Sequence, residues 1–250
     1  MDEESERAKR CWAYSLGDCE GVLSLEHYIS ACLFADMEVM VRGFGWCRDK
    51  AKSVRIETLG RNMLCEKHNN ALSPLDANAA IAFRTLEESA RLLDVRRDLR
   101  ARHWTAKQFT IDVSLLERWC VKTLINLNFK SNFKLARDPD LFGVPSKGLV
   151  DIAFGKRNFT GAGGLYIRGR AGDQVTFRRQ VSIQTTTTIE DQRVVACRFD
   201  LFGYPLMLNL LHNEIALQDG SVLLHREAKM WFTTKDDRGR DVKSHLVHWK

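Results

Sequence analysis

The chain has 250 residues and a mass of 28.7 kDa, enough to bury a sizeable core without disulfides or a metal to hold the whole molecule together. At 44% hydrophobic and 28% charged it is not the composition of a disordered tail, and 38 Lys and Arg against 32 Asp and Glu leave a net charge of +6, compatible with a polyanionic partner but too small to identify one. Seven cysteines, an odd number over a chain of this size, speak against a secreted disulfide framework and leave thiolates available to bind metal.

No apolar run of signal or membrane-spanning length is present. The nearest candidate, residues 206–217, is interrupted by Asn209, His212, Asn213 and Glu214, so the expectation is an intracellular, cytoplasmic protein with no membrane partner.

An irregular start carrying Cys11 and Cys19 leads into residues 22–29, where Leu23, Leu25 and Ile29 surround Glu26-His27. The spacing predicts a short strand or turn that exposes His27 while its apolar neighbours pack. Gly43-Phe44-Gly45-Trp46 reads as a loop before a short strand at Val54-Arg55-Ile56. Ser73 as N-cap, Pro74 at the first helical position and Asp76 completing a capping box predict a helix starting there. Its buried face is Leu75, Ala79, Ala82/Phe83, Leu86, Ala90 and Leu93, ending near Leu93 or Asp94, before a basic connector at 96–103. A strand over 107–111 and an amphipathic helix through Leu116, Trp119, Cys120, Val121, Leu124 and Leu127 follow.

The Pro139, Gly143 and Pro145 region marks a boundary. Beyond it, residues 149–154, 165–167, 174–188, 193–202 and 229–232 have strand character, with no repeat and no phosphate-binding loop. The chain therefore divides into residues 1–94, a helical connector at 95–138 and a strand-rich alpha/beta portion at 139–250 whose role the sequence does not define. The fold class is α+β.

Cys65 and His68 have the tight CxxH spacing that presents sulfur and imidazole to one ion, and Cys11 with Cys19 would complete a tetrahedral structural zinc site. The competing account makes Cys11 and Cys19 unrelated thiols and His68 a turn residue. Cys120 and Cys197, in apolar runs, read as core. Phosphodiester hydrolysis needs a positioned water, a base and positive charge near the phosphate. His27 is the candidate base, with Glu26 and Asn69 as oxygen ligands for a magnesium or manganese ion.

Over residues 11–86 the pattern Cys11, Cys19, Glu26-His27, Asn62, Cys65, His68-Asn69-Asn70 and Leu72-Ser73-Pro74-Leu75-Asp76 resembles the HNH nuclease superfamily, specifically its zinc-stabilised, treble-clef-like beta-beta-alpha-metal proteins. The resemblance implies a zinc-stabilised module over residues 1–94 with Glu26 preceding a catalytic His27, Asn62 orienting the loop and Asn69 on the catalytic metal, Asn70 taking that place if the register differs by one. The third-position histidine common in the family is absent, and the interval from His27 to Asn62 is long. The implied activity is metal-dependent DNA cleavage or nicking, in a defence or mobile-element setting with a homodimer or defence-system partner. Two alternatives stand beside it: an inactive zinc-containing nucleic-acid-binding module or RNA-cleaving nuclease, and a zinc-rigidified protein-interaction scaffold. Arg96, Arg97, Arg100, Arg102 and Trp104 form one candidate phosphate-contacting surface, and Arg157, Arg168, Arg170, Arg178 and Arg179 a second.

Overall fold

The structure, a computed structural model, describes residues 11–30, 33, 38–44, 46–55, 60–99, 103–135, 143–169, 173–211, 222–225 and 229–250. After a single 3-10 turn (Tyr14–Leu16), strand β1 (Leu23–His27) pairs antiparallel with β4 (Gly60–Cys65), which runs directly into helix α1 (Glu66–Leu99). Between β1 and β4 the chain contributes β2 (Glu38–Arg42) and β3 (Lys52–Arg55) to a different, eight-stranded sheet. After α1 come β5 (Lys107–Ile111), helix α2 (Val113–Asn128), the short β6 (Lys134–Leu135) and helix α3 (Lys147–Ala153). The remaining strands are β7 (Gly164–Gly169), β8 (Val181–Thr187), β9 (Arg193–Leu201), β10 (Tyr204–Asn209), β11 (Val222–His225), β12 (Lys229–Lys235) and β13 (Asp241–Trp249).

The large sheet has the order β11-β7-β10-β9-β8-β2-β3, with β6 alongside the start of β9, and a third sheet has the order β12-β13-β5. Both the β2–β8 and β13–β5 junctions are parallel, so each sheet is closed by a strand from the first half of the chain. Helix α2 is the hub. It is buried on every side from Trp119 to Asn128, with Trp119 edge-on to Phe83 of α1 and 6.2 Å from Phe199 of β9. A helix apolar all round is one that lies inside a core. Among its buried polar side chains, Glu117 accepts from the Leu165 amide, and the Asn128 amide nitrogen donates to its own helix at Leu124.

Several sequence expectations are corrected here. Helix α1 begins at Glu66 rather than at Ser73, because the Glu66 and Lys67 amides are satisfied by the carbonyls of Val22 and Glu20. A cap made by remote backbone leaves no local signature. Ser73 instead donates back to the Asn69 carbonyl, Pro74 lies inside the helix, and α1 continues past Asp94 to Leu99. The run 149–154 is the helix α3, capped by Ser146, since a short apolar run suits a strand and a buried helix equally.

Residues 173–180 do not join β8. Their backbone is held by α1 side chains, the Phe177 amide by Asp94 and the Val175 carbonyl by Arg97. Strand β10 lies in the stretch nearest to a spanning segment, yet it is a central strand, buried at Leu206, Met207, Leu208 and Asn209. Among the described residues no helix is long and apolar enough to cross a membrane.

Candidate metal centre and the adjoining buried network

The β1–β4–α1 unit brings together four donor side chains far apart in sequence. Cys65 ends β4, His68 stands in the first turn of α1, and Cys11 and Cys19 flank the preceding 3-10 turn. Their ligand atoms all lie within 4.8 Å of one another. His68 Nδ1 is 3.4 Å from Cys11 Sγ, 3.7 Å from Cys19 Sγ and 3.2 Å from Cys65 Sγ. A tetrahedral zinc ion with its usual bonds to sulfur and nitrogen has donor-to-donor edges of about 3.5 Å, so the spacing fits that ion. Cys11, Cys65 and His68 are buried and Cys19 half-buried.

The surroundings favour a bound cation. The Cys65 amide donates to Cys11 Sγ at 3.4 Å, an interaction that stabilises a thiolate. Without a cation, burial pushes the Cys11 thiol far up, against its backbone hydrogen bonds, and the neighbouring Cys19 and Cys65 push it further. A divalent ion removes that cost by taking all three sulfurs as thiolates. On the far side of the imidazole, His68 Nε2 lies 2.9 Å from Asp18 Oδ1. The imidazole donates there, which leaves Nδ1 as the acceptor facing the sulfurs, the carboxylate-histidine arrangement that orients a metal ligand. This hydrogen bond, followed by one from Lys67, holds the Asp18 carboxyl below its ordinary range. Phe154 packs edge-on against the His68 ring at 5.3 Å and against Trp12 at 5.9 Å, closing the site.

Glu26 and His27 belong to a second constellation. The β1–β4 register shifts between Ser24 and Leu25, where β4 carries Met63 as an extra residue while β1 itself keeps its alternation. Along β1, Leu25 is 59% exposed, Glu26 only 7%, and His27 half-buried, which corrects the expectation that Leu25 packs. Glu26 Oε1 lies 2.7 Å from Lys122 Nζ of α2 and accepts from Asn126 at 3.2 Å. Lys122 is itself 1% exposed and also meets both oxygens of Asp76, at 2.9 and 2.8 Å. Ser30 donates to Asp76 and accepts from the Trp119 indole at 3.0 Å. Burial, the dominant influence, holds the Glu26 carboxyl above its ordinary range despite the opposing pull of Lys122.

Asn126 joins the two constellations. It accepts from the Trp12 indole beside Cys11 and donates to Glu26 and to the His27 carbonyl.

The remaining candidate residues lie elsewhere on the unit. Asn69 is half-buried and donates to Ser24 at the Cys65 end of the strand pair, whereas His27 stands opposite Gly60 at the other end. Three residue steps along the strand separate Ser24 from His27, about 10 Å. Asn62 is exposed opposite Leu25, on the face away from Glu26, and Asn70 is exposed on α1. The structure thus sets Glu26 beside Asp76 and Lys122, not beside Asn69. Sequence reasoning assigned Asp76 to a helix cap and did not single out Asp18 or Lys122. A lysine amid the apolar run of α2 is the one local sign that a carboxylate waits opposite it.

The basic surfaces are partly redirected. Arg96 donates to the Ser244 and Thr105 carbonyls and lies 4.9 Å over the Trp104 ring, and Arg97 pairs with Asp94, so both serve packing. Arg100, Arg102 and Arg170 lie outside the described residues. Arg157, Arg178 and Arg179 are exposed, and Arg168 half-buried on β7.

Comparison of the chain with protein-family models, with curated proteins and with solved structures finds no match. The class that fold and site define is a mixed α+β protein with a buried Cys3His cluster compatible with a metal-binding module.

Proposed function

We propose that the chain is a zinc-stabilised nucleic-acid-binding module of the HNH-like beta-beta-alpha kind, in which the metal holds the fold and does no chemistry. The observation that carries this reading is the four-donor cluster itself: every corner of the tetrahedron is a protein atom, leaving no position for water or substrate. Zinc bound there would tie the 3-10 turn, β4 and α1 together. The antiparallel pair β1–β4 running into α1, with a CxxH pair at the strand–helix junction, supports the HNH-like reading and with it nucleic acid as the partner, and the net charge of +6 is compatible with that. Lys122, held between Glu26 and Asp76, supports binding over cleavage, because an ammonium already compensates the carboxylates that a catalytic magnesium or manganese ion would need.

A second reading, metal-dependent cleavage with His27 as base, draws on one observation: Glu26, which directly precedes His27 in the chain, converges with Asp76 on one cationic group, the Lys122 ammonium. The two readings separate in one assay on the zinc-loaded protein, with plasmid and with labelled DNA and RNA, with and without magnesium or manganese. Salt-sensitive retention with intact substrate in every metal is the expected result. Turnover that disappears in His27→Ala establishes the second reading, and neither retention nor turnover removes both.

A further inference from the structure

We infer that the β2–β3 hairpin is the surface on which a single-stranded nucleic acid lies, its bases stacking on Trp46 and its phosphates meeting Arg42, Arg48 and Lys50. The inference deepens the nucleic-acid reading above and rests on it. The hairpin closes one end of the large sheet, β3 being the terminal strand. Within residues 38–55 the described charges are Arg42, Arg48, Lys50, Lys52 and Arg55 against Glu38 and Asp49. Charged edges also guard a sheet against pairing with other chains, and that duty accounts for some of this charge. It does not account for an exposed tryptophan held beside one of those cations, Lys52, in a hairpin that carries the others.

The turn is anchored on both sides of that tryptophan. Phe44 is fully buried and Cys47 nearly so, the Gly43 amide donates to the Cys47 carbonyl at 3.0 Å, and the Cys47 amide returns to Phe44 at 2.8 Å. Thr185 of β8 donates to the Gly43 carbonyl, and a side chain at Gly43 would run into that threonine. With Phe44 and Cys47 turned inward, Trp46 projects outward, 37% exposed. Lys52 donates to the Trp46 carbonyl at 2.8 Å and stands 5.7 Å from the ring centre, positioning the indole. Arg48 is steadied at 5.6 Å over the Phe133 ring, while Arg42 and Lys50 are exposed. A rigid aromatic face flanked by cations is the chemistry that takes unpaired bases with little regard for sequence.

The other exposed tryptophan, Trp231 of β12, supplies a control. Lys243 stands 4.5 Å over its ring, but Lys235 pairs with Asp241 and Arg240 with Asp236, so these two cations of that hairpin are already paired with carboxylates.

The experiment is fluorescence anisotropy of zinc-loaded, full-length protein with labelled oligo(dT) and with a duplex of equal length, over a salt series. Trp46→Ala should weaken oligo(dT) binding about tenfold or more, Trp46→Phe should restore most of it, and Trp231→Ala should leave it unchanged. Replacing Arg42, Arg48 and Lys50 together by Gln should lower the slope of log affinity against log salt by about 2, since each phosphate that is no longer neutralised on a single strand reduces it by about 0.7. Zinc content and melting temperature of each variant establish that it is folded. Unchanged affinity in Trp46→Ala with wild-type binding intact overturns the inference and leaves the nucleic-acid reading standing. A preference for duplex overturns the single-strand assignment, and absence of nucleic-acid binding by the wild type overturns the reading beneath it.

Discussion

At the scale of single residues, Asp18 and Lys122 do the least visible work. Asp18 fixes which nitrogen of His68 faces the sulfurs, and removal of such an outer partner lowers metal affinity about 10- to 100-fold. Asp18→Asn should therefore give up zinc to a competing chelator at correspondingly lower chelator concentration, and an unchanged competition curve would contradict the orienting role. Lys122→Met leaves Glu26 and Asp76 facing each other without their cation, a loss of about 3–5 kcal/mol by the measure of broken buried ion pairs. Urea denaturation should show that loss as a shifted midpoint. Of this site, Cys65 and His68 are legible because a cysteine and a histidine three residues apart carry their chemistry in their spacing, whereas Cys11 and Cys19, eight residues apart, are legible only as the cysteines that would complete the set. Asp18, Asp76 and Lys122 were not, because their roles depend on partners 46 to 96 residues away in the chain.

At the scale of elements, α1 shows how a strong local signal is overridden. Ser73-Pro74 with Asp76 carries a helix start, yet the helix has already run two turns, since the strand pair delivers Glu20 and Val22 to cap it. Pro74 then withholds one amide from the ladder, and its exposed position has no packing role to offset the loss. Pro74→Ala should raise the stability of the zinc-loaded protein by about 1 kcal/mol or more, read as a higher urea midpoint, and an unchanged or lower midpoint would contradict this.

A second seam joins α1 to β10 and β13. Ser89 meets both the Tyr204 hydroxyl and His245 Nε2, Ser244 meets His245 Nδ1, and Phe232 stacks on the imidazole at 4.9 Å. Burial, aided by Arg96 and Lys107, pushes His245 down to about 4 from 6.5. The neutral imidazole is the form the fold accepts, so its stabilisation is complete above about pH 6.5 and disappears as pH falls towards 4. His245→Gln should be less stable than wild type at pH 7, with the difference narrowing by pH 4 in thermal melts. Strand β13 itself escaped sequence reading because Lys243, Ser244, His245 and His248 break the apolar alternation, and only the buried partners Ser89 and Phe109 make a histidine acceptable there.

Across the whole molecule one hydrophobic cluster runs from Cys11 and Trp12 through α1 and α2 to Val247 and Trp249. The Trp12 indole, next to Cys11 in the chain, donates to Asn126 and so ties the four-donor cluster to the central helix. The broad class was legible from periodicity and from the Gly- and Pro-marked connections, whereas the crossing of β2 and β3 into the far sheet was not, since pairing across 142 residues is set by the completed core. The function proposed for the chain rests on a cation held by three sulfurs and one imidazole, and cobalt(II) titration of the metal-stripped protein tests for that cation most directly. A single cobalt ion per chain should bind with the intense visible and thiolate-to-metal absorption of a tetrahedral sulfur site, be displaced by zinc with a rise in melting temperature, and lose that spectrum in Cys65→Ser. Weak octahedral absorption, or a spectrum indifferent to Cys65→Ser, would contradict it.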